Sequence, residues 1–418
     1  MTPSIVIPPH ARAAVVVIFV LTYICIALGR VPGLKLNRTG IALLGAIAIM
    51  VFSGLETATV VSLVNWPTIL LLFGFFVLSA QLRLSGFFDM VASGISARLG
   101  NPARFLLTLM LATAGLSAFL NHDIVCSVFT PVVASALLQR KLNPVPFLIA
   151  LAIASNIGAA ATLVGNPQDM MIAQIARLSF GQYILWCIVP VVFALGCAYV
   201  IIWLLSRRHL AMTFPIADGA GQSRQEPFNR AHTIKGLVIL LLVIAFFFSS
   251  VPKEMVALTA AGIHLASRKF RTEDLLAHVE WSILVLFMGL FVVTGVFHTT
   301  GYGEQAVQWL AHAGVNLQSA PILALVTAVL SNLINNSAAV LLLIKVVHVT
   351  QPSTAYVLAL ANSFGGSLLL LGSVANIIVV QQAHEMGVPI SFRDFARLGI
   401  PTTLAAMAGL LAWVALMT

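Results

Sequence analysis

Ser155-Asn156-Ile157-Gly158-Ala159-Ala160-Ala161-Thr162-Leu163-Val164-Gly165-Asn166-Pro167-Gln168-Asp169 interrupts an apolar run that extends from 146 to 176. Glycines and a proline break the helix there and free backbone N–H and C=O groups, which hydrocarbon cannot satisfy. Such a break is tolerated where it lines a polar site. A second stretch does the same between 354 and 384: Asn362-Ser363-Phe364-Gly365-Gly366 leads to Gly372-Ser373-Val374-Ala375-Asn376. Gly158 and Gly165 match Gly365 and Gly372 at an offset of 207. Two broken helices in corresponding positions point to a chain built from two copies of one plan.

The copies extend outward from these stretches. Thr113-Ala114-Gly115-Leu116-Ser117 with Asn121 matches Thr327-Ala328-Val329-Leu330-Ser331 with Asn335, at an offset of 214. Asn65-Trp66-Pro67 through Gly74 and Gly86 matches Glu280-Trp281-Ser282 through Gly289 and Gly301, at an offset of 215. Apolar runs at 13–29, 40–55, 66–82, the broken 146–176 and 182–205 give the first copy five spans. Runs at 234–250, 254–267, 281–297, the broken 354–384 and 395–417 give the second copy five more. Five is odd, so the second copy enters the membrane with opposite orientation. The expected fold is an all-α polytopic membrane protein of two inverted-topology repeats of five spans, each with a re-entrant hairpin and a broken helix. The division is 1–205, a cytoplasmic linker at 206–233, and 234–418.

Composition agrees. Of 418 residues, 60% are hydrophobic and 8% charged, against roughly half apolar and a quarter charged in soluble domains. A soluble enzyme, a disordered chain and a nucleic-acid binder are excluded. Long unbroken apolar runs also speak against a β-barrel, whose segments alternate. The net charge of +9 reflects cytoplasmic loops: 18 of the 22 Lys and Arg residues fall on the loops of one side and four (Arg12, Arg177, Lys253, Lys345) on the other. The positive-inside rule then places the linker in the cytoplasm and both termini outside, in an inner (cytoplasmic) membrane. The run from Ala13 to Gly29 is expected to be a retained span and not a cleaved signal. Cys25, Cys126, Cys187 and Cys197 lie in apolar segments with no CxxC pair and are expected to be buried.

Two further apolar regions, 104–140 and 320–350, carry polar tips: Leu120-Asn121-His122-Asp123 and Ile334-Asn335-Asn336-Ser337. Segments 84–100 and 300–313 are amphipathic. Polar side chains at membrane depth usually face a cavity. The candidate substrate- or ion-binding residues are therefore Asn121, His122, Asp123, Ser155, Asn156, Gly158, Thr162, Gly165, Asn166 and Asp169 in the first copy. In the second they are Asn335, Asn336, Ser337, Asn362, Ser363, Gly365, Gly366, Gly372 and Asn376. The glycines are expected to let a ligand approach the backbone closely. Asp123 is the expected centre of coupling, with Asp169 as the alternative carboxyl. Asp89, Glu254 and Asp394 are expected at the membrane interface, and Met170 and Met171 against lipid or in packing.

Asn121-His122-Asp123 followed by Thr130-Pro131 resembles the first hairpin of the ion transporter superfamily, in particular its arsenite-permease branch. Residues 155–168 resemble its first broken-helix motif. Gly372-Ser373-Val374-Ala375-Asn376-Ile377-Ile378-Val379 resembles the second, followed by Arg397-Leu398-Gly399-Ile400-Pro401. The similarity spans nearly the whole chain. That superfamily includes citrate and dicarboxylate transporters, arsenite permeases and sodium/proton antiporters. The resemblance implies a homodimer with elevator-like alternating access. The sequence departs from the pattern where Asp169 replaces the usual Asn, Leu369 a common Thr, and Ser373 stands at the repeat position of Asn166. The Ser-Asn-Thr signature of dicarboxylate transporters is absent from both tips.

The expected function is secondary active transport of a small anion, an inorganic oxyanion or carboxylate, coupled to H⁺ or Na⁺. Arsenite/antimonite efflux, Na⁺/H⁺ antiport and a passive channel are the alternatives. Partners are the anionic substrate, the lipid bilayer and a second copy, with no nucleic acid. No cofactor beyond the coupling ion and no structural metal is expected. His384-Glu385-Met386-Gly387-Val388 begins like a zinc HExxH but lacks the second His, so an enzyme is not expected.

Overall fold

In the computed structural model the described residues are 9–29, 31, 33–97, 100–207, 227–267, 269–312, 314–347, 349 and 351–417. Most of the expected linker (208–226) lies outside them, as do Arg30, Arg98 and Arg268.

Twenty α-helices account for the described chain. In the first half they are α1 (Pro9–Leu28), α2 (Arg38–Ser53), α3 (Thr57–Ser62), α4 (Trp66–Leu84), α5 (Phe87–Ala97), α6 (Pro102–Phe119), α7 (His122–Gln139), α8 (Val145–Ala159), α9 (Pro167–Ile175) and α10 (Phe180–Ser206). The second half runs α11 (Arg230–Phe246), α12 (Lys253–Leu265), α13 (Thr272–Ala277), α14 (Trp281–His298), α15 (Tyr302–His312), α16 (Ala320–Ile334), α17 (Asn336–Val346), α18 (Pro352–Gly365), α19 (Val374–Glu385) and α20 (Phe392–Met417). Among the described residues the only β pairing is an isolated bridge between Val31 and Leu34.

Seven of these helices are long and apolar enough to cross a membrane: α1, α4, α6, α7, α10, α14 and α20. The chain is a multi-pass membrane protein. Short helices α3 and α13, not anticipated from the sequence, begin at Thr57 and Thr272, an offset of 215 that α5 and α15 share.

Close helix contacts recur at matching offsets in the two halves. A Cβ built on Gly74 of α4 would stand 2.6 Å from the Ala257 carbonyl carbon of α12, and one on Gly289 of α14 would stand 2.9 Å from that of Ala42 of α2. Both partners of the second pair are 215 residues from their counterparts, so each half offers its glycine to the other's helix. Within each half, Gly158 of α8 meets Ala114 of α6, and Gly365 of α18 meets Ala328 of α16. Close helix contact through small residues is a normal means of association in lipid, where no hydrophobic force drives helices together.

These contacts correct one expectation. Gly158, Gly165, Gly365 and Gly372 each face protein atoms of a neighbouring segment. Their missing side chains make room for helices and carbonyls, not for a ligand. Met170 and Met171 are buried in packing, whereas Cys25 and Cys197 are only half-buried. Asp89, on amphipathic α5, is buried against protein.

Candidate functional site: the hairpin tips and broken helices

Each tip is a helix–cap–helix turn. Asn121 caps α7 by accepting from the Asp123 N–H at 2.9 Å, and Asn335 caps α17 by accepting from the Ser337 N–H at 2.9 Å. A side-chain oxygen there satisfies a backbone donor that helix geometry leaves orphaned. At the broken helices Asn166 caps α9, with Oδ1 accepting from the Asp169 N–H at 2.7 Å, and Ser373 stands at the N-cap of α19. Four helix N-termini thus carry small polar caps.

Hydrogen bonds draw them together. The Ser373 hydroxyl donates to Asn156 Oδ1 at 2.9 Å, and Asn156 Nδ2 donates to Asn376 Oδ1 at 2.9 Å. Asn166 Nδ2 donates to Ser363 Oγ at 3.1 Å and to Asp169 Oδ2 at 2.7 Å. Gln168 Nε2 donates to Ser337 Oγ at 2.8 Å, so the first broken helix holds the second tip. The first tip is held by its own half. The His122 N–H donates to the Gly165 carbonyl at 3.4 Å, Ser155 Oγ to the His122 carbonyl at 3.3 Å, and Thr162 Oγ1 to the Ala118 carbonyl. Asn332 ties the second hairpin to the Gly365 carbonyl at 2.7 Å.

The structure gathers the candidate residues into one buried region, and all the polar ones are buried. Several polar atoms there have no hydrogen-bond partner among the described residues: Asn121 Nδ2, His122 Nδ1, Asp123 Oδ1, Asp169 Oδ1, Asn336 Oδ1 and both amide atoms of Asn362. Each such group costs about 1–3 kcal/mol if left unmet, so their concentration makes this region the candidate polar site. Asp123 Oδ1 lies 3.5 Å from His122 Nε2. Glu280, just before α14, has its carboxyl pushed above the ordinary range, first by burial and then by the Asp123 charge, with Arg83 opposing. Among the described residues no three His, Cys, Asp or Glu side chains group as metal ligands would.

Sequence reasoning missed Gln168, Ser373 and Asn332 as site-building residues. Ser373 could have been found through its repeat position. Asn332 could not, because its counterpart is Ala118.

Comparisons with known proteins fit this architecture. The citrate transporter family model matches residues 19–358. An uncharacterized transporter of Mycobacterium tuberculosis is 32% identical over 418 residues, covering 94% of this chain and 95% of that protein. The silicon efflux transporter LSI3 of Oryza sativa subsp. japonica is 25% identical, covering 90% of this chain and 92% of its own. Among solved structures, the Alcanivorax borkumensis YdaH transporter superposes with a TM-score of 0.62 at 15% identity, covering 98% of this chain and 99% of that one.

Proposed function

The chain belongs to the citrate transporter family within the ion transporter superfamily, and from this premise we propose that it is a secondary active transporter of a small oxygen-rich anion. It is a membrane transporter; the anion, the coupling and the mechanism are the proposal. One observation carries the anion reading: four helix N-termini, at α7, α9, α17 and α19, are tied by hydrogen bonds of cap and first-turn residues into one buried region. Helix N-termini favour negative charge, and broken helices at membrane depth use this to hold anionic groups.

Asn121, Asn156, Asn335 and Ser363 supply side-chain contacts to the substrate, with Asn336 and Asn362 as further amides. The carboxyls of Asp123 and Asp169 link binding to an ion gradient, of H⁺ or Na⁺. The second hairpin is re-entrant, and the first, whose helices α6 and α7 are longer, is read the same way through its repeat relation to it. α16 and α17 have 15 and 11 residues, or about 22 and 17 Å at 1.5 Å per residue, short of the ≈ 30 Å hydrocarbon core. The halves form an inverted repeat in an inner membrane, with both termini outside and the linker in the cytoplasm. A homodimer moves its site by elevator-like alternating access, and no catalysis is involved.

Purified protein in proteoliposomes tests this with citrate, phosphate, silicate and arsenite, each under an imposed pH or Na⁺ gradient. Uphill accumulation of one anion under one gradient is expected. Asn121→Ala and Asn335→Ala are expected to abolish it while the protein still elutes as a folded species. Flux that never exceeds equilibrium under either gradient would make the protein a passive channel and overturn the proposal.

A further inference from the structure

The two clusters that join the halves are related by the repeat, and they differ at one side chain. In one, Asn156 of α8 binds Ser373 and Asn376. In the other, Ser363 of α18 binds Asn166, which binds Asp169. Positions 156 and 363, 166 and 373, and 169 and 376 are each separated by 207. Asp169 therefore occupies the seat that Asn376 occupies in the other cluster.

Asn376 fills its seat completely. Its Oδ1 accepts from Asn156, and its Nδ2 donates to the carbonyls of Gly366 at 2.8 Å and Leu369 at 3.1 Å. Asp169 fills only half. Its Oδ2 accepts from Asn166, its Oδ1 accepts nothing, and the residue is 0% exposed. The counterparts of Gly366 and Leu369 are Ala159 and Thr162. The same close approach exists on this side: a Cβ on Gly165 would collide with the Ala159 carbonyl oxygen, as one on Gly372 would crowd that of Gly366. A bare carboxylate oxygen turned to carbonyl oxygens is repelled by them, whereas an O–H is a donor. A buried carboxylate also needs a cationic partner to stay charged. Asp169 has no ion pair among the described residues, and α9 packs on α4, α17 and α18. The titratable groups that interact with it are Tyr183 and Cys187 of α10, with Tyr356 of α18 against Tyr183, and all three are neutral at neutral pH.

We propose that Asp169 is a proton-binding site, with the proton on Oδ1 donated toward the carbonyls of Ala159 and Thr162 as the Asn376 amide donates to theirs. The step is a protonation alone: the carboxylate takes H⁺ from water when the site is exposed, and returns it on the other side. Its charge sits one hydrogen bond from the Asn166–Ser363 link. An anion seated on that link is repelled by the carboxylate and accepted beside the acid, so proton and anion bind together and travel in the same direction. This last step rests on the anion reading; the proton site does not.

Infrared difference spectra of the purified protein, recorded as pH is raised, test the site without any substrate. Wild type is expected to lose the C=O stretch of a buried protonated carboxyl, and Asp169→Asn is expected to lack that titrating band. Ser363→Ala, which leaves the carboxyl in place, is expected to keep it, as is Asp123→Asn. A titrating band of undiminished intensity in Asp169→Asn, where the raised Glu280 carboxyl gives only a background common to both proteins, or the absence of any titrating band in wild type, would overturn the proposal. Asp169→Glu, expected to restore a displaced band, guards against a misfolded Asn variant. Thermal shift with citrate as the probe tests the coupling. Wild-type affinity is expected to fall about tenfold per pH unit once Asp169 ionises, while Asp169→Asn stays flat. Equal pH dependence in both would show that proton binding at Asp169 is not linked to the anion.

Discussion

The two halves are alike where helices pack and unlike where side chains meet at the centre. Gly74 and Gly289, and Gly158 and Gly365, play the same part at repeat-related places. The tips share the same Asn cap. Beyond the cap they diverge. The first tip carries His122 and Asp123, and the second carries Asn336 and Ser337. Gln168 reaches across to hold Ser337, but the repeat counterpart of Gln168 is Ala375, which cannot reach back to Asp123. A packing contact between backbones tolerates few substitutions, and there the two halves are alike. The centre differs between the halves, and on the proposed reading an anion with a coupling proton needs unequal groups around it.

The shared packing is the easiest part to break. Gly158→Val would drive its Cβ into the Ala114 backbone, with the carbonyl carbon 2.7 Å away. Backbone cannot swing aside as a flexible side chain does, so the cost is expected at the upper end of overpacking, about 3 kcal/mol. Gly365→Val meets Ala328 Cα at 2.7 Å and is expected to cost about 2 kcal/mol. Thermal unfolding of the detergent-solubilised variants measures both. A Gly158→Val protein as stable as wild type would mean that the α6–α8 contact is looser than its mirror.

How much of this was legible follows from the kind of signal involved. The spans were legible because apolar runs end at charges, Pro and Gly: 66–82 became α4 and 182–205 became α10 within a few residues. Helices α3 and α13 were missed because six residues in a polar connection carry no periodicity. The site was legible as four clusters, since Asn121, Asn156, Asn335 and Ser363 interrupt apolar sequence. Which cluster touches which was not. The Gln168–Ser337 and Asn156–Asn376 pairs join residues 169 and 220 positions apart, and only tertiary packing sets them. The glycines were misread because a Gly in a broken helix suits a ligand or a neighbouring backbone equally.

The tips offer a finer contrast. Asn335 has φ of 79° and ψ of 147°, whereas Asn121 has φ of −56° and ψ of 116°. The same cap is strained in the second half and relaxed in the first. Such a backbone costs about 1–3 kcal/mol for a residue with a Cβ, while replacing an Asn cap by Gly loses only about a few tenths. Asn335→Gly is therefore expected to stabilise the fold by about 1 kcal/mol, although it removes a site amide. Asn121→Gly has no strain to relieve and is expected to destabilise by about 0.5 kcal/mol. Denaturation midpoints of the two variants decide this. The same sign for both would show that the tips are energetically equivalent despite their different backbones.

The smallest expected effect concerns the start of α14. Asn65 caps α4, accepting from the Thr68 N–H at 3.0 Å and its hydroxyl at 2.8 Å. At the repeat position Glu280 precedes α14 and makes no side-chain cap. Glu280→Asn would give the second half the cap of the first, a gain of about 0.5–1 kcal/mol. A second contribution depends on pH. Burial, reinforced by the Asp123 charge and opposed by Arg83, raises the Glu280 carboxyl above its ordinary value of 4.5. The folded state therefore holds this proton more tightly than the unfolded state. Below the ordinary value both states are protonated and nothing is lost. Between that value and the raised one only the folded state keeps the proton, so stability falls as pH rises through this window. Above it the penalty is complete. Asn cannot titrate, so the gain from Glu280→Asn is expected to be larger at neutral pH than near pH 4. Thermal unfolding at the two pH values reads the difference. A gain independent of pH would leave the cap as its sole source and show that neither burial nor the Asp123 charge raises the Glu280 carboxyl.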